Sequence, residues 1–227
     1  MKLQVETQLL PRHLGIDPAP TEARYLPVFS APEVPDTYGD YERALDLAKV
    51  CDLEKCSRIY ARLSGKFIFG DLIEALFTTY NIHTERLIIS TYSYSQNNVD
   101  SLRNLLEGNY VDTIDLLVSD QFYVHENKPG MLIPYTYQQL DIDNRFQLGA
   151  CGTHDKLTLF KTDGGKHVVL HGSANMRSSG SMEHVMIENN KELYDFCIPG
   201  IDRLISYFKT IDKSARHSTL WNIVTNK

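Results

Sequence analysis

An α/β fold, with a mixed and largely parallel sheet flanked by helices on both faces, is predicted by three observations. Segments of strand composition alternate with segments of helical spacing along most of the chain. The strand segments, such as Arg86–Tyr92 (RLIISTY) and Ile114–Ser119 (IDLLVS), are short and rich in β-branched and apolar residues. A turn signal, Asp163-Gly164-Gly165, separates two further strand segments and marks a hairpin.

In chain order, residues 1–37 hold six of the nine prolines, which argues against regular structure there. Their apolar residues, among them Leu9, Leu10, Tyr25 and Phe29, fit an arm laid over a surface better than a solvated tail. Tyr41–Leu63 carries helical spacing through Ala44, Leu45, Leu47, Ala48, Cys51 and Leu53, and Ser64-Gly65 closes it. The division drawn from this is a proline-rich arm and helix over 1–63 and an α/β domain over 64–227. Phe67-Ile68-Phe69 reads as a short buried strand, and Asp71–Tyr80 as a helix with Leu72, Ile73, Leu76 and Phe77 inward. The strand Arg86–Tyr92 follows, then a helix Asn98–Glu107 ending at Gly108, then the strand Ile114–Ser119. Met131–Leu140 is a helix with Pro134 in its first turn. Phe146–Cys151 is a strand, Lys156–Phe160 and Lys166–Leu170 form the hairpin, Val185–Ile187 is a last strand, and Ile201–Ile211 a last helix. No internal repeat is visible.

The chain has 227 residues, 42% hydrophobic and 23% charged, with a formal net charge of −6. That balance excludes a surface coated in basic patches for sequence-independent nucleic-acid binding. From Arg145 to His184, however, Arg145, Lys156, Lys161, Lys166 and Arg177 outnumber Asp155, Asp163 and Glu183, so this stretch is locally positive. Cys51, Cys56, Cys151 and Cys197 lack zinc-ligand spacing and read as thiols in a reducing compartment. With no apolar run of signal-peptide or membrane-spanning length, the expectation is a soluble cytoplasmic protein without a membrane anchor.

The chemistry gathers between Thr153 and Glu183. Residues i and i+2 of a strand share a face, so His154 and Lys156 project together. The second hairpin strand runs into Gly172-Ser173-Ala174-Asn175, which returns Ser173 and Asn175 to the neighbourhood of His154. An ammonium, an imidazole, an amide, a hydroxyl and turn N–H groups together make an anion pocket. Tyr92 and Tyr94, with Ser90 and Ser93, sit at the end of a strong strand, where ligands gather in open α/β sheets. Tyr92 is a candidate for stacking on a base or sugar, and Arg177 and Ser178 for holding a neighbouring phosphate. Asp120 is a helix cap or a site residue. His171, His125 and His83 read as surface histidines.

His154-x-Lys156, then Gly172-Ser173-x-Asn175, then Glu183 resembles the HKD motif of the phospholipase D superfamily. The usual acidic position after the lysine is Lys161 here, with Asp163 two residues on, and the spacing from His154 to Gly172 is a few residues longer at the Gly-Gly turn. The resemblance covers roughly Phe67–Phe208. It implies phosphodiester cleavage through a covalent phosphohistidine, with no metal or other cofactor. His154 would be the nucleophile, Glu183 would fix its tautomer, and Lys156 and Asn175 would hold the phosphate oxygens. Ser173 would orient the site or donate to phosphate. A single-motif chain has no second copy to supply the acid, so a homodimer sharing one site is implied. The nuclease-like members are the nearest in character, which makes nucleic acid the favoured substrate. A phospholipid-directed phosphodiesterase and a non-catalytic nucleic-acid-binding protein that keeps the fold remain as alternatives.

Overall fold

The computed structural model describes residues 37–53, 58–64, 67–177 and 181–210, with side chains from residue 39 onward. The proline-rich stretch and Cys56 lie outside the described residues. One eight-stranded sheet organises the rest, in the order β1-β2-β8-β7-β6-β3-β4-β5. Its strands are β1 (Thr37–Tyr41), β2 (Arg58–Leu63), β3 (Thr84–Thr91), β4 (Val111–Ser119), β5 (Phe146–Cys151), β6 (Leu157–Lys161), β7 (His167–Gly172) and β8 (Glu183–Asn189). The sheet is mixed, with three of its seven pairings parallel and four antiparallel. Parallel pairing is confined to β1–β2 and the β3–β4–β5 block, a smaller share than the alternation of elements predicts.

Period-two alternation sends each central strand's side chains to opposite faces. Leu87, Ile89, Leu116, Val118, Phe160, Val168 and Leu170 point to one face, under the helices α1 (Ala44–Val50), α2 (Phe69–Tyr80), α3 (Gln96–Glu107) and α5 (Leu132–Leu140). Phe77 of α2 meets Phe160 with ring centroids 4.8 Å apart. Ile88, Leu117, Leu159 and Val169 point to the other face, where they pack with Ile201 of α6 (Lys191–Phe208). Arg86 fastens that helix, donating to Asp115 at 2.6 Å and pairing with Asp202 at 2.7 Å. Cys51 and Cys151 are buried.

Four expectations are corrected. Tyr41–Leu63 is not one helix: α1 stops at Val50 and Arg58–Leu63 is a strand. The apolar helical spacing ends near Leu53, whereas Ile59, Ala61 and Leu63 alternate with outward Arg58, Tyr60 and Arg62. The strand bonds to β1 and β8, so residues 37–63 supply two strands of the common sheet. Phe67-Ile68-Phe69 forms no strand, because Phe69 already opens α2 and three apolar residues carry too little period to separate the two states. The last helix begins at Lys191, ten residues before Ile201, with Asn190 as its cap accepting from the Leu193 N–H at 3.0 Å. Pro199-Gly200 lies inside it. The capping residue of the short helix α4 (Asp120–Glu126) is Ser119, not Asp120: Ser119 Oγ accepts from Phe122 N at 3.1 Å.

Two close approaches require glycine. At Gly70 a Cβ would lie 2.9 Å from Asn98 Cα, where α2 meets α3, and the buried Asn98 side chain accepts from Gly70 N. At Gly172 a Cβ would overlap the His184 carbonyl oxygen and lie 3.0 Å from Val185 Cα. Both obstacles are backbone. Gly172→Ala is therefore expected to lower stability by roughly 3 kcal/mol, read as a fall in urea midpoint with little change in slope.

His83, at the far end of the sheet, is bonded on both ring nitrogens, to Asp163 at 2.9 Å and Asp112 at 3.2 Å. Partial burial disfavours the charged ring, but the hydrogen bonds and charges of the two carboxylates outweigh it and raise the pKa above the ordinary 6.5. A raised folded-state pKa gives stability that is full below the unfolded value and lost as pH rises through the folded one. The gap in urea midpoint between wild type and His83→Gln should thus be widest below the ordinary histidine value of 6.5 and shrink as pH rises above it.

Candidate active site

The carboxyl ends of β3, β4 and β5, the start of β6, the end of β7 and the start of β8 all meet at one end of the sheet, as their registers require. Between β5 and β6 runs the segment 152–156. It is irregular rather than strand, so His154 and Lys156 sit just outside β6, which starts at Leu157, one residue after the expected start. Thr153 pins the segment: its buried hydroxyl bonds Ser90 Oγ at 3.1 Å and accepts from Asp155 N at 3.2 Å. His154 is left exposed.

Lys156 folds back onto His154. Its Nζ lies 2.7 Å from His154 Nδ1 and donates to the His154 carbonyl at 2.8 Å. An ammonium has only donors, so Nδ1 accepts, and a neutral ring then carries its proton on Nε2. Partial burial pulls the Lys156 pKa below the ordinary lysine value, against the opposing charges of Glu183 and Asp155. Tyr92 flanks the imidazole, with ring centroids 5.0 Å apart and planes at 50°. Its hydroxyl donates to Gln121 Oε1 at 3.0 Å.

The Gly172–Asn175 turn supplies the opposite wall. Asn175 Oδ1 accepts from the Tyr92 N–H at 3.2 Å and faces Thr91 Oγ1 at 3.4 Å. The buried Thr91 hydroxyl also donates to the Ser93 carbonyl at 2.9 Å and accepts from Met176 N at 3.1 Å. With Oδ1 tied to the end of β3, the orientation assigned to the amide leaves the Nδ2 donors for a ligand. Tyr92 joins the two halves: its ring touches His154 and its N–H holds Asn175.

Ser173, expected either to orient the site or to donate to phosphate, has its hydroxyl committed within the chain. Its hydroxyl donates to Glu183 and accepts from His184 N at 3.0 Å, while its own N–H donates to the His184 carbonyl at 3.1 Å. It therefore closes the β7–β8 corner and positions Glu183. Glu183 accepts from Ser173 and has no hydrogen bond to His154 in this arrangement. Arg177 is exposed and lines a small depression with Asn175, Glu183 and Ser64. Ser178 lies outside the described residues.

Other candidates fall away. Tyr94 is buried against Phe122 and bonds Thr136 at 2.8 Å. His171 pairs with Glu188 at 2.9 Å, and His125 is exposed on α4. Thr91, Thr153 and Gln121 were not picked from sequence. They are ordinary strand-end and helix-start polar residues, and only the long-range contacts distinguish them. Among the described residues no cluster of His, Cys, Asp and Glu could hold a metal ion, and no described helix is long and apolar enough to cross a membrane.

No family model and no curated protein matches the chain. Among solved structures it is similar to NucT from Helicobacter pylori, at 12% identity over 55% of this chain and 80% of that one, with a TM-score of 0.42. It is similar to Nuc from Salmonella typhimurium, a phospholipase D family member, at 16% identity over 58% and 84%, TM-score 0.42. A third similar structure is phosphatidylserine synthase from Haemophilus influenzae, at 13% identity over 74% of this chain and 44% of that one, TM-score 0.43.

Proposed function

We propose that this chain is a phospholipase D-like phosphodiesterase that cleaves nucleic acid through a phosphohistidine at His154. The observation that supports this most is the joining of the His154 ring, the Lys156 ammonium and the Asn175 amide around Tyr92 at the carboxyl end of the parallel strands. One nucleophile and two donors of fixed direction are what phosphoryl transfer asks of a protein.

Lys156 lies against Nδ1 of His154 in the structure. An entering phosphodiester offers the ammonium two charged oxygens, and Lys156 and Asn175 Nδ2 bind them. Nδ1 then takes up the ring proton and donates it in a hydrogen bond to Glu183, which leaves the Nε2 lone pair free. Nε2 attacks phosphorus, the P–O bond to the leaving group breaks, and the leaving oxygen takes a proton from the His154 imidazolium of a second copy. That second imidazole, now neutral, removes a proton from water as the water oxygen attacks phosphorus and the N–P bond breaks. The products are an alcohol and a phosphomonoester. Tyr92 fixes the plane of the ring, Ser173 holds Glu183, and Arg177 with Ser178 takes a flanking phosphate.

Nucleic acid is favoured over lipid by the open, polar surroundings of His154, with Lys156 and Arg177 at the site's end of the sheet; Arg145, Lys161 and Lys166 of the positive stretch lie at the opposite end and do not contribute. The test is cleavage of end-labelled single- and double-stranded DNA and RNA by the whole chain, with phospholipid vesicles as a parallel arm. Nucleic-acid cleavage that persists in EDTA is expected, from a protein whose mass in solution includes at least two chains. Turnover by a monomer contradicts the shared site, and turnover of vesicles alone contradicts the substrate class.

A further inference from the structure

Asn175 hangs between two ties to neighbouring strands. On one side the Ser173 N–H donates to the His184 carbonyl of β8 at 3.1 Å. On the other the Met176 N–H donates to Thr91 Oγ1, at the end of β3, at 3.1 Å. Thr91 is 1% exposed and follows Ile89 by two residues, so it shares the sheet face of Ile89. A hydroxyl has one proton and two lone pairs. Here the proton goes to the Ser93 carbonyl at 2.9 Å, a lone pair takes the Met176 N–H, and Asn175 Oδ1 lies 3.4 Å away. Asn175 Oδ1 is itself taken by the Tyr92 N–H at 3.2 Å. Two consecutive residues, Thr91 and Tyr92, thus hold the backbone after Asn175 and its amide. Valine would suit the strand and the core at position 91 at least as well, so what the oxygen adds is the hold on the turn.

We propose that Thr91 is a positioning residue: by fixing the peptide between Asn175 and Met176 it aims the Asn175 amide into the anion site beside His154. The anion meant is the phosphodiester of the proposed reaction, on which this role rests. Thr91 is buried and touches no substrate, so its effect passes through Asn175. An amide on a loose turn can offer an anion either end, and Oδ1 repels it where Nδ2 attracts it. Holding the turn keeps Oδ1 on the Tyr92 N–H and presents Nδ2. Without the Thr91 oxygen the Met176 N–H loses its acceptor, the turn shifts, and the donor is displaced from the charge that develops on the phosphate oxygens. A displacement of about 1 Å at such a donor costs up to about a hundredfold in rate. The preceding residue of β3, Ser90, bonds Thr153, which precedes His154. Neighbouring residues of one strand therefore set both halves of the site.

The test is a double-mutant cycle on nucleic-acid cleavage by the whole chain, with Thr91→Val, Asn175→Ala and the two combined. Thr91→Val is expected to lower kcat/KM about tenfold, and Asn175→Ala about a hundredfold or more. In the Asn175→Ala background, Thr91→Val should cost less than about twofold, because no amide is left to aim. Thr91→Ser keeps the oxygen and loses the methyl, so recovery of most of the rate in Thr91→Ser ties the effect to the hydrogen bond and not to packing. An equal loss in both backgrounds overturns the proposal, by assigning Thr91 to general support of the fold. So does a wild-type rate in Thr91→Val. A second measurement needs no turnover: inorganic phosphate titrated against the side-chain amide resonances of Asn175. Thr91→Val should weaken that binding about threefold or more, and Thr91→Ser should leave it near wild type. Phosphate binding that follows this pattern in a chain that cleaves nothing refutes the catalytic reading and upholds Thr91 as the residue that aims the amide. Equal phosphate affinity in wild type and Thr91→Val overturns the proposal whether or not the chain cleaves.

Discussion

His154→Ala is expected to lower turnover roughly a thousandfold or more while leaving the fold untouched. The ring is exposed and, among the described residues, its polar contact is to Lys156, so the substitution removes no core packing and should move stability by no more than about 0.5 kcal/mol. Chemistry and stability are thus separable at this residue. In the proposed reaction each shared site needs one imidazole as nucleophile and another as acid. Chains of His154→Ala mixed with wild type should therefore lose activity faster than the wild-type fraction falls. Activity in strict proportion to that fraction would show each chain working alone.

Lys156→Met is expected to cost about 10²–10³ in kcat/KM, the loss typical of removing one donor aimed at developing negative charge. Two effects meet here. In the proposed reaction the ammonium stabilises the phosphorane-like transition state, and it must also leave Nδ1 of the nucleophile, which it contacts in the structure. Lys156→Arg keeps the charge but not the compact geometry, and should recover only part of the loss. The pH profile gives a sharper reading. Burial holds the Lys156 pKa below that of an ordinary lysine, and the rate needs the protonated form. The wild-type rate should consequently fall on the alkaline side at a pH below the usual lysine value of 10.5, and this limb should be missing from Lys156→Met. A wild-type limb that survives unchanged in Lys156→Met would assign it to another group.

Where the sequence was legible, the physics was local. β3, β4 and β5 appear within a few residues of their expected places because a run such as Leu87–Thr91, buried on both faces, leaves one reading. α3 ends at Gly108 as expected, for the same local reason. Tyr41–Leu63 misled because two turns of real helix precede an alternating strand, and the first pattern was carried through the second. α6 began ten residues early because Pro199 and Gly200, strong breakers on a local view, are overridden by packing of Ile198 and Ile201 on the sheet.

The site divides along the same line. The pairing of His154 with Lys156 and the return of Asn175 were legible, since two residues of spacing and one hairpin set them. The detail of the pairing was not. Lys156 reaches His154 by folding onto its carbonyl outside the strand, not by sharing a strand face. The commitment of Ser173 to Glu183 depends on the register of β7 against β8, which no local pattern fixes. Thr91 with Asn175 and Tyr92 with Gln121 are joined across 84 and 29 residues of chain, and only the folded sheet brings them together.

The central claim is a bond between a His154 ring nitrogen and phosphorus, and trapping that bond tests it most directly. Substrate carrying a radioactive scissile phosphate, quenched in alkali within the first turnover and followed by peptide mapping, should place acid-labile label on the peptide containing His154. Label on another residue, or full turnover with no labelled protein at any time point, would contradict the account.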